Sequence, residues 1–153
     1  MKIRLELDGS ITEEEIVIRC ADLSEEVQLI QKTLAELAAK RQRFVFYKGD
    51  TEYYLSLEEI LFFETEGKVI YAHTVDAMYQ VKDRLYELEE FLPGYFMRIS
   101  KSTILNTNKV YSIQRNLTAS SVVEFQNTHK QVFVSRHYYK PLKEKLEERR
   151  NRS

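Results

Sequence analysis

The stretch EILFFETEGKVIYAHT, residues 59–74, contains two strand-like segments joined by a turn. The apolar run before Glu64 and the β-branched and aromatic residues after Lys68 favour extended structure. Gly67 lies between them and tolerates the positive φ of a tight turn. The stretch therefore predicts two strands with a turn near Gly67.

Similar short strands occupy most of the chain on either side. Two are predicted in RFVFYKGDTEYYLSL, joined at Lys48-Gly49-Asp50, and the other strands are predicted in AMYQV, YFMRIS, VYSIQR, TASSVVEF and KQVFVS. KSTILNTNK, residues 101–109, is predicted to be irregular. A helix is predicted in KDRLYELEEFL, stopped by Pro93-Gly94, and another begins near Arg136. The fold class predicted is α+β, mostly β.

A different pattern precedes these strands. Residues 2–7 and 16–20 alternate apolar and polar side chains, as half-buried strands do, and a helix is predicted from Ser24 to Lys40 with a capping box at Asp22 and Glu25. One helix face carries an apolar stripe of Val27, Ile30, Leu34 and Leu37. We predict a small β-β-α module at residues 1–42 and a second domain at 43–153. The module would serve dimerisation or partner contact, and packing on the rest of its own chain is an equally simple use.

Composition limits the class of protein. The 153 residues and 43% apolar content fit one domain or one domain with a small appendage. The start of the chain has no apolar signal segment, and no run is long enough to span a bilayer, so a cytoplasmic location is expected. The single cysteine, Cys20, is predicted to be a small core residue.

The charge is divided unevenly along the chain. Residues 1–97 carry 11 Lys and Arg against 20 Asp and Glu, whereas residues 98–153 carry 12 against 4. Such an asymmetry is expected of a protein with one polyanion-binding face. A solvated basic helix at the end of the chain would produce the same count.

The sequence offers little for catalysis. Its three histidines lie far apart, there is no nucleophile motif, and four glycines leave no phosphate-binding loop. We expect no enzyme activity, no metal site and no cofactor.

Two loops of the basic half carry the candidate binding residues. RISKSTILNTNK, residues 98–109, places Ser100, Lys101, Ser102 and Asn106 close together, and such side chains donate to phosphates and base edges. Capping of a helical turn is the alternative for Ser102 and Asn106. In VFVSRHYYKPLKEKL, residues 132–146, Arg136 lies in the first turn of a predicted helix, where its positive charge faces the positive end of the helix dipole. A bound phosphate or guanine edge would offset this unfavourable interaction.

These segments resemble the LytTR family of bacterial DNA-binding domains. The resemblance covers residues 44–147 and rests on Phe96-x-Arg98-x-x-x-Ser102-x-x-x-Asn106, on Ser135-Arg136-x-Tyr138, and on LEEILFFETEGKVIYAHT. It implies antiparallel strands in a small elongated stack whose loops, rather than a recognition helix, enter successive major grooves. Lys101 and Arg136 match DNA-contacting positions, and Lys68 in the turn is a weaker match. The remaining DNA-binding candidates are Ser100, Ser102, Asn106, His137 and Lys140, the last two holding the phosphate backbone.

The function expected is a sequence-specific regulator of transcription that binds double-stranded promoter DNA as a homodimer. The roughly 40 residues before the resemblance are too few for a receiver domain, so control by aspartyl phosphorylation is not expected. Stand-alone members of the family are often restrained by a small membrane protein, which implies such an inhibitor as a partner. The alternatives are a protein-interaction adaptor and a single-stranded nucleic-acid binder using the same basic face.

Overall fold

The computed structural model describes residues 1–12, 14–41 and 44–152. Most of the described elements are strands, as predicted, and α-helices flank them. The described helices are α1 (Glu25–Arg41), α2 (Leu85–Phe91) and α3 (Arg136–Arg152). The described strands are β1 (Phe46–Lys48), β2 (Thr51–Tyr53), β3 (Phe62–Glu66), β4 (Val69–His73), β5 (Met78–Val81), β6 (Phe96–Arg98), β7 (Thr103–Asn106), β8 (Val110–Gln114), β9 (Ser121–Phe125) and β10 (Gln131–Val134). The predicted α+β, mostly β class is confirmed.

The strands form two antiparallel sheets. The larger has the order β2-β1-β5-β4-β3-β7-β6, and the smaller has the order β10-β9-β8. The β3–β4 hairpin lies inside the larger sheet, with Phe62 opposite His73 and Glu66 opposite Val69. Gly67 takes φ 61° in its turn, as the sequence predicted.

Adjacent phenylalanines of β3 divide the protein into two cores. Successive side chains of a strand point to opposite faces of the sheet. Phe63 packs in a cluster with Leu85 and Leu88 of α2, whereas Phe62 packs with the smaller sheet and with Leu142 of α3. The larger sheet is therefore buried on both faces at β3, between α2 on one side and the smaller sheet with α3 on the other.

The prediction that residues 101–109 are irregular is wrong in part. Thr103–Asn106 form β7, which pairs with β3 on one side and β6 on the other, and all four residues are buried. Ile104 joins the core under α2, and Leu105 joins the core under the smaller sheet. A four-residue strand buried on both faces has no alternation, so its sequence carried no period from which to predict it.

The N-terminal strands were also predicted wrongly, although the helix of the module is present. Residues 2–7 and 16–20 are not strands, and Cys20 is exposed rather than buried. The cap of α1 is Ser24, whose hydroxyl accepts the Val27 N–H at 3.3 Å, and not Asp22. Alternation identifies a segment that fits a half-buried sheet, but it does not supply the neighbouring strand. The boundary predicted at 42–43 lies outside the described residues.

Helix α1 lies against the strand-rich part of the chain. Lys32 approaches Gly94 closely enough that a Cβ there would meet its Cε at 3.6 Å. The Tyr95 hydroxyl has a raised pKa because of burial and of the nearby carboxylates of Glu58 and Glu36. Val27, Ile30 and Leu34 of the predicted stripe are half-buried, whereas Leu37 is 51% exposed. Some of the stripe is thus used within the chain.

His73 is a partly buried residue that packs on Phe62. Its ring stacks on Phe62 at 4.4 Å, and neither ring nitrogen has a hydrogen-bond partner among the described residues. Burial, and secondarily the charge of Lys130, lower its pKa to about 4 from the ordinary 6.5. The ring is therefore neutral near pH 7.

We predict that His73 makes the protein less stable in mild acid. The unfolded chain binds a proton at His73 below about pH 6.5 and the folded chain only near 4, so the free energy of unfolding falls as the pH drops through that range. After allowance for solvent screening of the half-exposed ring, the loss is about 1 to 2 kcal/mol.

Urea unfolding of wild type and His73→Phe from pH 7 to 4 measures this loss, because the phenyl ring keeps the stack and cannot titrate. Parallel pH curves for the two proteins would contradict the prediction.

Candidate nucleic-acid interface

Three chain reversals lie side by side at one end of the sheets. They are the β3–β4 turn at Gly67-Lys68, the β6–β7 loop at residues 99–102, and the β10–α3 junction at Ser135. Because β7 runs antiparallel to β3, the end of β3 meets the β6–β7 loop, and the Thr65 N–H donates to the Ser102 carbonyl at 2.9 Å. Lys68 therefore lies in the turn beside that loop.

A single backbone hydrogen bond brings the third reversal into this group. The Ser135 N–H donates to the Ile99 carbonyl at 3.0 Å, which joins the smaller sheet to the β6–β7 loop. Arg136 follows Ser135 directly, and Lys101 lies two residues beyond Ile99. Both side chains are exposed. The two basic residues singled out by sequence, 35 positions apart in the chain, thus share one end of the fold.

Arg98 fixes the shape of the β6–β7 loop. Its Nε donates to the Ser100 carbonyl at 2.7 Å, and one Nη donates to the Lys101 carbonyl. The other Nη pairs with Glu89 of α2 at 2.6 Å. A planar guanidinium is suited to such a fork, since its donors point in fixed directions. The guanidinium of Arg98 therefore bonds within the protein and holds the backbone of Lys101 in place.

The serines of the loop support its conformation and remain partly available. The Ser102 N–H donates to the Ser100 hydroxyl at 3.2 Å, and the two hydroxyl oxygens lie 3.3 Å apart. Ser100 is half-buried and Ser102 is exposed. Ser102 can therefore donate outward, whereas Ser100 mainly orders the turn.

Helix α3 begins at Arg136, as predicted, and extends the basic surface. His137 and Lys140 follow within one turn and are exposed, while Tyr138 and Leu142 face the core. Residues three and four apart share a helix face. Lys140 therefore lies over Arg136 on the side of α3 that faces away from the protein.

The prediction that Asn106 contacts DNA is wrong. Asn106 is 1% exposed, its side-chain amide donates to the Ile60 carbonyl at 3.0 Å, and its oxygen accepts the Asn108 N–H at 3.0 Å. It also lies at the far end of β7 from the loop. Asn106 caps the short 3-10 turn that follows, which is the capping alternative left open by the sequence.

Sequence reasoning missed two arginines of this region. Arg98 belongs to a recognisable motif, but nothing in the sequence tells a loop clamp from an exposed cation. Arg115 follows β8 at the same end as Arg136, and its guanidinium lies 4.9 Å from the ring centre of Tyr139 on α3. Its position in the polar segment RNLTAS was the available signal.

The basic residues fall into two groups, those that are partly buried and bond to carbonyls of the protein and those that are exposed to solvent. Lys130 donates to the Ala77 carbonyl at 2.6 Å, and burial lowers its pKa. Arg149 donates to the Thr107 carbonyl and so ties α3 to the turn after β7. These two positive charges serve internal hydrogen bonds. By contrast, Lys101, Arg136 and Lys140 are exposed to solvent at or near the end of the sheets where the three chain reversals lie, called the loop end below.

Acidic side chains lie next to the same loops. Glu64 is half-buried beside Thr103, whose hydroxyl donates to it at 3.4 Å. Burial raises the pKa of Glu64, the neighbouring Glu66 raises it further, and the Thr103 hydrogen bond lowers it. The end surface is thus mixed in charge rather than uniformly basic.

Within the ranges that the structure describes, no group of His, Cys, Asp and Glu side chains is arranged to hold a metal ion. No helix among those residues has the length and apolar character needed to cross a membrane.

Comparison with known proteins identifies the family in which this fold occurs. The model of the LytTr DNA-binding domain matches residues 50–147. An uncharacterised HTH-type transcriptional regulator of Staphylococcus aureus strain NCTC 8325 is 31% identical over 148 residues, covering 95% of this chain and 98% of the relative. A similarly described regulator of strain MRSA252 is 30% identical over 148 residues, with the same coverage of both chains.

A solved structure agrees with the fold. The LytTr DNA-binding domain of a Bacillus cereus protein, described as a methyl-accepting/DNA response regulator, superposes with a TM-score of 0.61 at 22% identity. The superposition covers 67% of this chain and 94% of that one. Fold and matches together define a strand-built DNA-binding regulator. The chain belongs to the LytTR family of DNA-binding domains.

We predict that Arg98→Ala lowers the free energy of unfolding by about 2 to 3 kcal/mol, because two carbonyls and a carboxylate lose a charged donor. Arg98→Lys should recover less than half of this loss, since an ammonium cannot form the fork. Amide hydrogen exchange should accelerate at Lys101 and Ser102 in both variants.

Glu89→Gln is the matched control. It removes only the partly exposed ion pair and should cost less than about 1 kcal/mol. Wild-type stability and exchange in Arg98→Lys would show that the fork does not hold the loop.

Proposed function

We propose that this protein is a sequence-specific regulator of transcription that reads double-stranded DNA with the loops at this end of its sheets. The observation that carries the proposal is the Ser135–Ile99 hydrogen bond, which brings the start of α3 at Arg136 next to the loop of Lys101, with both side chains in solvent. Arginine bonds bidentately to guanine in the major groove, and such a pair discriminates by about 1 to 3 kcal/mol.

The three reversals would enter successive major grooves. Strand-built surfaces can present loops to DNA without a recognition helix, and in the described part of the chain strands intervene between each α-helix and the next. This arrangement differs from a helix-turn-helix, whose two helices are consecutive. The label of the Staphylococcus relatives as HTH-type therefore does not describe how this chain would read DNA.

Each exposed residue has a separate part in this proposal. Arg136 reads a base edge, and Lys101 contacts DNA from the neighbouring loop. His137, Lys140 and the Ser102 hydroxyl hold phosphates, while Lys68 contacts the backbone from the turn. Ser100 keeps the loop in shape.

Regulation is proposed to be independent of aspartyl phosphorylation. The Staphylococcus relatives, described as transcriptional regulators, match this chain over 98% of their own length, which supports a shared organisation. We also propose that the protein binds as a homodimer in the cytoplasm and that a small membrane protein restrains it. Co-purification of that partner from detergent-solubilised membranes with the tagged regulator tests the restraint.

We predict that Arg136→Ala weakens binding to the cognate duplex by about 1 to 3 kcal/mol and reduces the preference for it over altered duplexes. Lys143→Ala should weaken binding to all duplexes slightly and equally. Titrated gel shifts at fixed salt, with the duplex upstream of the protein's own gene and with its separated strands, measure both effects.

Lys101→Ala and Lys109→Ala are a matched pair, since each removes one exposed lysine from the basic half and the two lie at opposite ends of the fold. Only Lys101→Ala should reduce affinity strongly. Wild-type discrimination by Arg136→Ala would refute base reading, and tighter binding to single strands would favour the stacking alternative.

A further inference from the structure

Residues 2–8, KIRLELD, carry a row of apolar side chains that are exposed to solvent in the described structure. Ile3, Leu5 and Leu7 are 97%, 85% and 92% exposed. Arg4 and Glu6 form an ion pair at 3.0 Å within the segment, so these two side chains lie on the same side. The segment ends in a turn, where the Ile11 N–H donates to the Asp8 carbonyl at 3.2 Å. Its side chains alternate as those of a strand do, and none of the described strands lies beside it.

The order of charges in this segment is complementary to itself. Two cations, Lys2 and Arg4, precede two anions, Glu6 and Asp8. In an antiparallel pair of identical segments centred on Leu5, Lys2 lies opposite Asp8, and Arg4 lies opposite Glu6. Ile3 lies opposite Leu7, and Leu5 meets its own copy. Every charge then faces its opposite, and every apolar side chain faces another.

We propose that residues 2–8 of two copies of this chain pair antiparallel in this register and form the dimer contact. A two-fold axis requires that one surface be complementary to itself, which this order of residues satisfies. Opposite charges and apolar pairs directly across antiparallel strands stabilise pairing, and like charges oppose it. The register is specified because a one-residue slip would move every apolar side chain to the other face.

The paired ribbon also needs cover on its apolar face, since two strands alone are marginally stable in water. Ile16 and Val17 of each chain are 73% and 63% exposed and lie close along the sequence. They supply apolar surface for the six side chains of the ribbon.

Pairing of residues 2–8 with a later segment of the same chain would match apolar with apolar residues less well than pairing between two copies. A hairpin across the Asp8–Ile11 turn would place Arg4 opposite Glu15, but it would set Leu5 opposite Glu14 and Leu7 opposite Thr12. Two of the three apolar residues would then face polar ones. A second copy is therefore the better occupant of this edge.

Cysteine cross-linking tests the register. In a Cys20→Ser background, Leu5→Cys places two sulfurs on the two-fold axis, where opposite Cα atoms lie about 4.5 to 5.5 Å apart. Mild oxidation should give a covalent dimer. Leu7→Cys is the matched control, because its copies lie roughly 13 Å apart along the ribbon and should not join. Ile3→Cys combined with Leu7→Cys should join. Equal cross-linking of the Leu5→Cys and Leu7→Cys single variants would overturn the register.

Charge reversal tests the pairing. Arg4→Glu should raise the dimer dissociation constant about tenfold, and adding Glu6→Arg should restore it, as measured by sedimentation of the full chain. Rescue by Glu15→Arg instead would assign the segment to a hairpin within one chain. A wild-type monomer at all concentrations would overturn the proposal outright.

This inference deepens the homodimer of the proposed function, but its test is separate from the test of DNA reading. A monomer that shifts duplex DNA with wild-type discrimination would overturn the paired segment alone. A cross-linked dimer without DNA binding would overturn the proposed reading alone.

Discussion

The hydrogen bond from the Ser135 amide to the Ile99 carbonyl joins the end of the smaller sheet to the β6–β7 loop of the larger sheet, in addition to the side chains packed between the two sheets. It lies directly before α3, because the chain leaves β10 at Val134 and the helix begins one residue after the bonded Ser135. It also sets the position of Arg136 relative to Lys101. Side-chain packing around Phe62 holds the sheets face to face, whereas this backbone bond is directional and fixes how their loop ends line up.

The position of Arg136 at the first residue of α3 carries an electrostatic cost, since a cation there faces the positive end of the helix dipole. The cost is small because the side chain is exposed and water screens the interaction. A helix N-terminus attracts anions, and Arg136 adds a mobile charge to the same place. For a DNA-binding domain the two fields reinforce each other toward phosphate, and the free protein gives up only a little stability.

The sequence predicted those elements well whose structure depends on a single local pattern, such as a turn residue or a regular spacing of apolar side chains. The hairpins around Gly49 and Gly67 and the leucines of α2 follow from turn chemistry and periodicity, and all are present. Alternation failed for β7, whose four residues are all buried, and for residues 2–7, which pair with none of the described strands. At the candidate site, the structure exposes Lys101 and Arg136, and their contact with DNA stays a prediction. Asn106 is buried instead, because a buried amide and a DNA-contacting amide look identical in sequence. The clamp at Arg98 depends on carbonyl positions that only the folded loop defines.

The mixed charge of the loop end bears on specificity. Attraction to phosphate is independent of sequence and grows with the number of cations at a surface. At this end Arg98 is turned inward to carbonyls, and Glu66, the last residue of β3, lies next to the turn that holds Lys68. At the other end of the sheets, Lys130 and Arg149 also donate to carbonyls. These features reduce the attraction to any duplex, so under the proposed function more of the binding free energy would come from contacts to base edges. Discrimination between partners improves when the common attractive term is small, because specificity is a difference between affinities. A chain with net charge −1 can therefore bind DNA, provided that a few exposed cations are held where the bases can be reached.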